Sequence, residues 1–288
     1  MNLQEKQRWQ RKFLAVLDGF RLLDDKFMTV VFQNSIACVE LVLRIILDSP
    51  SLSVSKVITQ DTLKNLHGRG LCLDIHAFAE GREYNIEIQR AQAGAGARRA
   101  RYHSSLMDAR SLLPGEDYTA LPESYVIFIT ETDVLGYGDP IYMIRRTIQG
   151  RQKVFDDGSH IVYVNSMITD QDTPLGKLMH DFRCARPEDM YHEVLAERIR
   201  YFKQTEEGVA TVSKTMEDAL KEFIEEEKEQ WIQEGMESGM ERGIERGREN
   251  ERIFSIRTLM HNLGFTAEKA MDALSVPLSE RGRYLSIL

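Results

Sequence analysis

The sequence predicts an α/β fold in which helices flank a mixed central β-sheet. Three observations indicate this fold. Residues 71–89 alternate between apolar and polar side chains on both sides of a Glu80-Gly81 turn, residues 125–130 form an unbroken apolar run, and helical periodicity flanks both segments. A hairpin, a strand buried on both faces and intervening helices are together typical of α/β proteins.

The N-terminal part of the chain is predicted to be mostly helical over residues 10–48. Apolar side chains recur there at helical spacing, namely at Ile36, Val39, Leu43, Ile46 and Leu47. Pro50 and the neighbouring serines end this unit. Residues 54–59 are then predicted to form a strand that leads into the hairpin.

Five further elements are expected after the hairpin, from helical periodicity or from apolar, strand-like runs. They are a helix, three strands and a final helix at residues 92–112, 125–130, 142–144, 161–164 and 187–204. Pro114 and Gly115 stop the first of these helices. The order of helices and strands predicts that the sheet is mixed.

The late part of the chain is predicted to form a long, charged helix. Residues 205–251 contain fifteen acidic and six basic residues, so the rest of the chain is close to neutral despite the net charge of −8. Two stripes run along this segment with a period of four: Gly235, Gly239, Gly243 and Gly247, and Ile232, Met236, Met240 and Ile244. Glycine costs about 1 kcal/mol relative to alanine in a helix. The repeat therefore indicates either close helix–helix approach or a solvated linker, and we expect a homo-oligomer formed through residues 211–250.

The chain is expected to divide into an α/β domain (residues 1–204), the charged helix (205–251) and a small helical C-terminal piece (252–288). In the last part, Gly264 suits a helix stop and Thr266 the next N-cap. No apolar run reaches about 18 residues, so no membrane segment is expected. The cysteines have no metal-ligand spacing and the N-terminus lacks an apolar signal core, which favours a cytoplasmic location.

Asp74 and Glu87 are the leading candidates for a functional site. If the hairpin is symmetric about Glu80-Gly81, residues equally distant from the turn lie opposite each other, so Asp74 faces Glu87. Like charges in such a pair, with Cβ atoms roughly 5 Å apart, are destabilising. A divalent cation between the two carboxylates would remove this repulsion. An ordinary exposed polar face is the alternative interpretation.

The other residues of the hairpin support this register. One face is expected to belong to the core, and its members are Leu73, Ile75 and Ala77 opposite Tyr84, Ile86 and Ile88. The other face is polar, with Asp74, His76, Glu83, Asn85, Glu87 and Gln89. A slip of one residue would place carboxylates in the core. His76 shares the face of Asp74 and is interpreted as a satisfied surface histidine, with a supporting role beside the site as the alternative.

The order of elements around the hairpin resembles the core of PD-(D/E)XK nucleases. That core has a strand with an Asp, a hairpin turn, a Glu-x-Lys tripeptide and a following helix. Here these elements are Asp74, the tripeptide Glu87-Ile88-Gln89 and a helix that carries Arg98, Arg99, Arg101 and Tyr102. More specifically, the chain resembles the Rpn-type recombination-promoting nuclease and transposase family. The segments that carry this likeness are Leu23–Met28, Asn85–Gln89, Arg98–Tyr102, Gly115–Tyr118 and the glycine repeats. In that family the final Lys is commonly Gln, as at Gln89.

The resemblance implies a restriction-endonuclease-like core and a metal-dependent DNA endonuclease associated with transposition or recombination. Asp74, Glu87 and the Ile88 carbonyl are then the expected ligands of Mg²⁺, with Mn²⁺ as a second suitable ion. Gln89 is expected to orient the attacking water, because its amide cannot act as a general base. A nuclease fold that binds DNA without cutting it is the alternative function, since Gln replaces Lys.

Two further sets of side chains are expected at the site. Glu40 is a candidate catalytic carboxylate, because this superfamily often places one on an early helix; an ordinary polar-face position is the alternative. Arg98, Arg101 and Tyr102 are expected to contact DNA phosphates. Arg98 and Tyr102 are four residues apart and share a helical face. A solvated arginine and a packing tyrosine are the alternative there.

Overall fold

The structure is a computed structural model that describes residues 12–65, 68–90 and 92–288. The chain separates into two compact units, one up to Ala219 and one from Leu220 to Leu288. The first eleven residues of the expected α/β domain, and Ala91 at the expected start of the helix after the hairpin, lie outside the described residues.

The helices and strands follow one another along the described chain. In order they are α1 (Asp25–Phe32), α2 (Ile36–Ile46), β1 (Val54–Leu63), β2 (Leu71–Ala79), β3 (Arg82–Gln89), α3 (Ala97–Ser111), β4 (Ser124–Thr130), β5 (Ile141–Ile144), β6 (Thr147–Ile148), β7 (Lys153–Val154), β8 (Ser159–Asn165), α4 (Pro174–Arg183), α5 (Glu193–Gln204), α6 (Glu206–Leu263), α7 (Ala267–Ala273) and α8 (Leu278–Leu285). Residues 12–18 are also helical.

The central sheet has six strands in the order β1-β2-β3-β4-β8-β5. The first three strands are antiparallel, β3, β4 and β8 are parallel, and β5 runs antiparallel to β8 at the far edge. The predicted α/β fold with a mixed central sheet is therefore confirmed. Strands β6 and β7 form a separate two-stranded hairpin.

Both faces of the sheet are covered by helices. On one face, the strand residues Ile86, Ile127 and Val162 join a large apolar cluster with side chains of α1, α2, α4 and α5. On the other face, Val126 and Phe128 pack with side chains of α3. Strand β4 contributes to both clusters, because successive side chains of a strand point to opposite faces. This explains the unbroken apolar run in its sequence.

Two elements were not predicted from periodicity, and one begins later than expected. Helix α4 has a start signal in its sequence: the Thr173 hydroxyl accepts a hydrogen bond from the Gly176 backbone N–H, and Pro174 is the first helical residue. The β6–β7 hairpin consists of two-residue strands, which are too short to produce a pattern. The helix predicted at 187–204 begins at Glu193, after a short 3₁₀ turn.

The β2–β3 hairpin has the predicted register. Ile75 lies opposite Ile86 and Ala77 opposite Tyr84. Glu80 and Gly81 both have positive φ, at 53° and 76°. Two central residues in this region define the tight type I′ turn, whose twist matches that of the flanking strands.

The predicted alternation of side chains fails at one point of β2. Leu73 was expected beside Ile75, but it packs with Val126 and Phe128 on the α3 face, whereas Ile75 lies in the opposite cluster. Pairing between β2 and β3 stops at Ile75, and the neighbouring residue on β1, Gln60, has a φ of 54°. This local distortion reverses the side-chain direction on the two sides of Asp74.

No single helix of the described chain is both long enough and apolar enough to cross a membrane. Helices α1 and α2, which meet at 110°, pass that test only as a bent pair. Their side chains contribute Phe27, Val31, Val39 and Leu43 to the larger apolar cluster.

The second unit contains the greater part of α6 and a small helical core. Helix α6 has 58 residues and starts close to the predicted boundary at 205. Gly264 ends it with a φ of 65°, and the Thr266 hydroxyl accepts from the Lys269 backbone N–H, so both predicted helix signals are confirmed. Ile256, Ala270, Met271, Val276 and Tyr284 form the core. Met236, Met240 and Ile244 of the apolar stripe are exposed, and the side chain of Ile232 lies outside the described ones.

Candidate metal and nucleic-acid site

The Asp74 and Glu87 side chains meet where regular pairing of β2 and β3 ends. The Asp74 backbone N–H donates to Glu87 Oε1 at 3.3 Å, and the Ile88 backbone N–H donates to Asp74 Oδ2 at 3.0 Å. Glu87 is fully buried, and Asp74 is half-buried. At this distortion of β2, backbone N–H groups donate to carboxylates on the opposite strand instead of to backbone carbonyls.

Both carboxyl groups have raised pKa values. Burial is the main cause for Glu87, and the negative charge of Asp74 adds to it. Burial is also the main cause for Asp74, whose pKa is further raised by the charge of Asp25, although the Ile88 N–H and Arg99 act in the opposite direction. The protein therefore leaves part of the negative charge at this pair uncompensated.

A chain of polar side chains supports Glu87 from α3. Arg99 donates through Nη2 to Glu87 Oε2 at 3.2 Å and through Nε to His103 Nε2 at 3.1 Å. The Asn85 amide lies 3.0 Å from His103 Nδ1. Burial, together with the charge of Arg99, lowers the pKa of His103 to about 4, so its ring is neutral and can accept from Arg99 at neutral pH. Arg99 is thereby fixed in orientation at the edge of the pair.

The Ile88 backbone also faces the pair. Both backbone groups of a strand residue point to the same neighbouring strand. Since the Ile88 N–H donates to Asp74, the Ile88 carbonyl lies on that side of β3 as well. The structure thus brings the three expected metal ligands, Asp74, Glu87 and Ile88, to one place.

Gln89 is half-buried, and its amide lies close to Gly94. A Cβ atom added to Gly94 would lie 2.1 Å from Gln89 Oε1, so the absence of a side chain at Gly94 makes room for the Gln89 amide. Gln89 pairs with Thr130 on β4 at the C-terminal end of the parallel strands. Its amide is on the same strand face as Glu87, as the alternation predicts.

A basic cleft of about 620 Å³ opens next to the pair. It is lined by the first residues of β2, including Cys72, and by one face of α3. Arg69, Arg98 and Arg99 all contribute to its wall. A cleft with three guanidinium groups suits an anion such as a DNA phosphate.

The three residues expected to contact phosphates differ in their positions. Arg98 is exposed and lines the cleft, whereas Arg101 is exposed but does not belong to the lining. Tyr102 also lines the cleft, but its hydroxyl donates to the Arg69 carbonyl and accepts from Asn65 Nδ2 at 3.3 Å. Tyr102 therefore matches the packing alternative, since its hydroxyl proton holds the chain segment that leads into β2.

Glu40 is not brought to the pair. Its Oε2 accepts from the Val54 backbone N–H at 2.9 Å, and its Oε1 forms a salt bridge with Arg44 at 2.7 Å. Val54 pairs with Ala79, five residues along β2 from Asp74, which corresponds to about 16 Å of strand. Glu40 therefore holds the start of β1 at the turn end of the hairpin, as in the ordinary polar-face alternative.

Several side chains at the pair were not singled out from the sequence. An early-helix carboxylate does act on the site, but it is Asp25 of α1, whose charge raises the pKa of Asp74. Gln60 of β1 also lies close to Asp74 and acts to lower its pKa. Arg99 and His103 lie one residue further along α3 than the Arg98–Tyr102 pair, and the same four-residue spacing is the signal that could have found them.

His76 is buried rather than on the surface. Its Nδ1 lies 2.8 Å from Asp61 Oδ2, and its Nε2 lies 3.4 Å from Glu83 Oε2. The side chain is only 5% exposed, and Phe78 packs against it with ring centroids 4.4 Å apart. The interpretation as a surface histidine was wrong, because β1 and α3 cover this part of the polar face.

The donor set at the pair fits a hard divalent cation. Two carboxylates and a backbone carbonyl supply oxygen ligands only, and Mg²⁺ commonly uses one or two carboxylates while keeping several waters. Within the described ranges, no group of three or more His, Cys, Asp or Glu side chains is arranged to hold a metal ion. The pair therefore suits a hydrated ion whose remaining ligands come from water and substrate.

Comparison of the chain with protein-family models, with curated proteins and with solved structures gives no match.

Proposed function

We propose that the chain is a metal-dependent DNA endonuclease with a restriction-endonuclease-like core, of the type associated with transposition and recombination. The observation that carries this proposal is the buried Asp74–Glu87 pair with its raised pKa values. Two carboxylates whose charge the protein compensates only in part, beside a carbonyl and a basic cleft, form a combination suited to a cation and a phosphodiester.

In this proposal Asp74, Glu87 and the Ile88 carbonyl hold Mg²⁺ or Mn²⁺. When bound, the ion supplies Lewis-acid activation of the phosphodiester and a hydroxide-like nucleophile at neutral pH. Gln89 has no titratable group, so its part is to orient water through its amide. The absence of a side chain at Gly94 leaves room for that amide.

The cleft next to the pair would position the nucleic acid. Arg98 and Arg69 offer donors that are independent of Glu87, and Arg99 joins the cleft to the carboxylate pair. Phosphate contacts of this kind fix the register of a duplex without reading its sequence. Arg101 would contribute charge outside the cleft.

A plasmid-cleavage assay with Mg²⁺ or Mn²⁺ tests the proposal. We expect Asp74→Ala and Glu87→Gln to lower the cleavage rate by at least about 10²-fold, a loss typical of removing a group that stabilises the transition state. Glu83→Gln is the matched control, because Glu83 lies on the same strand face but contacts His76 and Ser111. Equal cleavage by all three variants and the wild type would contradict the assignment.

A nuclease-fold protein that binds DNA without turnover is the second candidate. The observation in its favour is Arg99, whose guanidinium already partly neutralises Glu87 at 3.2 Å. This candidate predicts salt-sensitive DNA binding and no metal-dependent cleavage by the wild type. The same plasmid assay, run beside a DNA-binding measurement, separates the two functions.

We also propose that the chain forms homo-oligomers through residues 211–250. The exposed Met236 and Met240, at 70% and 69% of their surface, and the open space at Gly239 and Gly243 support this role for α6. Sedimentation of the full chain should give an oligomer that Met236→Glu with Met240→Glu converts to a monomer. A monomeric wild type would contradict the proposal.

A further inference from the structure

The β6–β7 hairpin stands apart from the central sheet with a composition unlike that of the rest of the chain. Residues 143–155 contain four basic residues and no acidic one, although the whole chain has a net charge of −8. All residues from 143 to 157 are exposed. Within the described chain, Arg145, Arg151 and Lys153 form no salt bridge, whereas Arg146 pairs with Asp157.

One face of this hairpin combines basic and apolar side chains. Ile148 lies opposite Lys153, and the Phe155 backbone N–H donates to the Arg146 carbonyl at 2.9 Å. Because side chains alternate along each strand, Arg146, Ile148, Lys153 and Phe155 share one face. Phe155 is 55% exposed and Ile148 41%. Arg151 lies in the loop at the tip of the same hairpin.

An exposed hairpin of this kind contributes little to the stability of the fold. A two-stranded hairpin is marginal in water unless it packs against another structure. Exposed apolar side chains next to basic side chains that form no salt bridge in the described chain therefore indicate a partner that carries negative charge and offers apolar surface. Duplex DNA meets both requirements, and its major groove admits a two-stranded β-ribbon.

The position of the hairpin suits a DNA contact at a distance from the carboxylate pair. Glu87, Phe128, Tyr163 and Tyr142 form one row across the sheet, so β5 is three strands from β3 at the level of Glu87. Three strand spacings and the four residues from Tyr142 to Arg146 give about 20 Å, or roughly six base pairs along a duplex. A duplex that reaches the pair could therefore extend to the hairpin.

We propose that the β6–β7 hairpin is a second DNA-binding element, which contacts duplex DNA through Arg151, Lys153 and Phe155 on the flank of the cleavage site. This inference rests on the proposed function, since it takes DNA as the ligand of the carboxylate pair. In this proposal Arg151 and Lys153 contact phosphates, and their binding releases about two counterions from the DNA. Phe155 contributes apolar contact with the groove, which is independent of salt.

The experiment measures binding of the full chain to a fluorescently labelled duplex DNA, with Ca²⁺ in place of Mg²⁺ so that the DNA is not cut. We expect Arg151→Glu with Lys153→Glu to weaken binding at least tenfold, and to reduce the slope of log affinity against log salt by about 2 between about 50 and 200 mM salt. Phe155→Ala should weaken binding and leave the slope unchanged.

The matched control is Lys56→Glu with Arg186→Glu, which changes charge equally at two exposed positions of the same unit. An equal loss of affinity in this control, or unchanged binding by the hairpin variant, overturns the inference. If the wild type neither binds nor cuts duplex DNA, the proposed function itself fails. If the wild type binds and cuts but the hairpin variant behaves like it, only the role of the hairpin is refuted.

Discussion

Two carboxylate clusters lie where β2 meets its neighbouring strands, and the protein treats them in opposite ways. Around His76, burial alone would raise the pKa values of Asp61 and Glu83, but His76 and Arg110 lower both of them below their ordinary range, and Ser111 also lowers the pKa of Glu83. At Asp74 and Glu87, burial prevails and both pKa values are raised. Carboxylates on neighbouring strands thus form one structural cluster whose charges are compensated by neighbouring side chains, here called the satisfied cluster, and one unsatisfied pair.

The difference identifies where the fold leaves room for a ligand. In the His76 cluster a ring nitrogen faces each carboxylate, at 2.8 Å from Asp61 and 3.4 Å from Glu83, and both carboxyl pKa values are lowered. The Asp74–Glu87 pair has two backbone N–H donors and one exposed arginine, which leave part of its charge uncompensated, and this is where we propose that a cation binds. A buried group that the protein does not satisfy is a better indicator of function than the presence of carboxylates alone.

The largest effect on stability should come from the satisfied cluster. His76→Ala leaves Asp61 and Glu83, whose side chains are 13% and 16% exposed, without their shared partner. We expect a loss of about 3 kcal/mol in the free energy of unfolding. Asp74→Asn should be neutral or slightly stabilising in the absence of metal, because it removes a repelling charge. Denaturant unfolding in the presence of a chelator measures the free energy of unfolding of both variants. A His76→Ala variant as stable as the wild type would contradict the structural role of the His76 cluster.

The two clusters should also respond to pH with opposite signs. Groups with raised pKa bind protons more tightly in the folded state, so their contribution to stability is lost as pH rises above about 4 into the neutral range. Asp61 and Glu83, with lowered pKa, instead lose their contribution as pH falls below about 4. The variant Asp74→Asn with Glu87→Gln should therefore gain roughly 1–3 kcal/mol relative to the wild type between about pH 5 and pH 8 without metal.

Denaturant unfolding at both pH values checks this prediction. Saturating Mg²⁺ should reduce the difference between the wild type and the doubly neutral variant at the higher pH, because the ion compensates the charge only in the wild type. Asp61→Asn serves as the control, and its stability relative to the wild type should not change with Mg²⁺. A pH-independent difference for the doubly neutral variant would contradict the raised pKa values.

A smaller effect should come from the support of Gln89. Gly94→Ala places a Cβ where the Gln89 amide now lies, so the amide must turn away. Because the end of a flexible side chain can move, we expect little loss of stability and a fall in cleavage of roughly threefold to tenfold, or about 1 kcal/mol. Gly96→Ala is the control, since nothing lies within 4 Å of a Cβ at that position. Equal cleavage by both variants would show that the position of the Gln89 amide does not affect the reaction.

The sequence predicted what local patterns determine. The hairpin register followed from alternation and from a turn in which Gly81 accepts a positive φ, and the buried strand β4 followed from its apolar run. The reversal at Asp74 could not be predicted, because it depends on Gln60 of β1, whose positive φ leaves no mark in the local pattern.

Residues brought to the site from helices were harder to predict. Periodicity gives the spacing of a helical face but not the direction in which that face points. Arg99 and His103 have the same spacing as Arg98 and Tyr102, yet Arg99 and His103 contact Glu87. In the same way, the sequence named Glu40 as the early-helix acid, whereas the early-helix charge that acts on Asp74 comes from Asp25 of α1.

The proposed metal site at Asp74 and Glu87 is tested most directly by measuring Mn²⁺ binding to the full chain. Electron paramagnetic resonance of the free ion monitors that binding. We expect the wild type and Glu83→Gln to bind Mn²⁺ with similar affinity, and Asp74→Asn and Glu87→Gln to lose that binding. Competition by Mg²⁺ should release the bound Mn²⁺, as expected for a site with oxygen ligands only. A wild type that binds no Mn²⁺, or one whose binding survives both substitutions, would contradict the claim that the unsatisfied pair is a metal site.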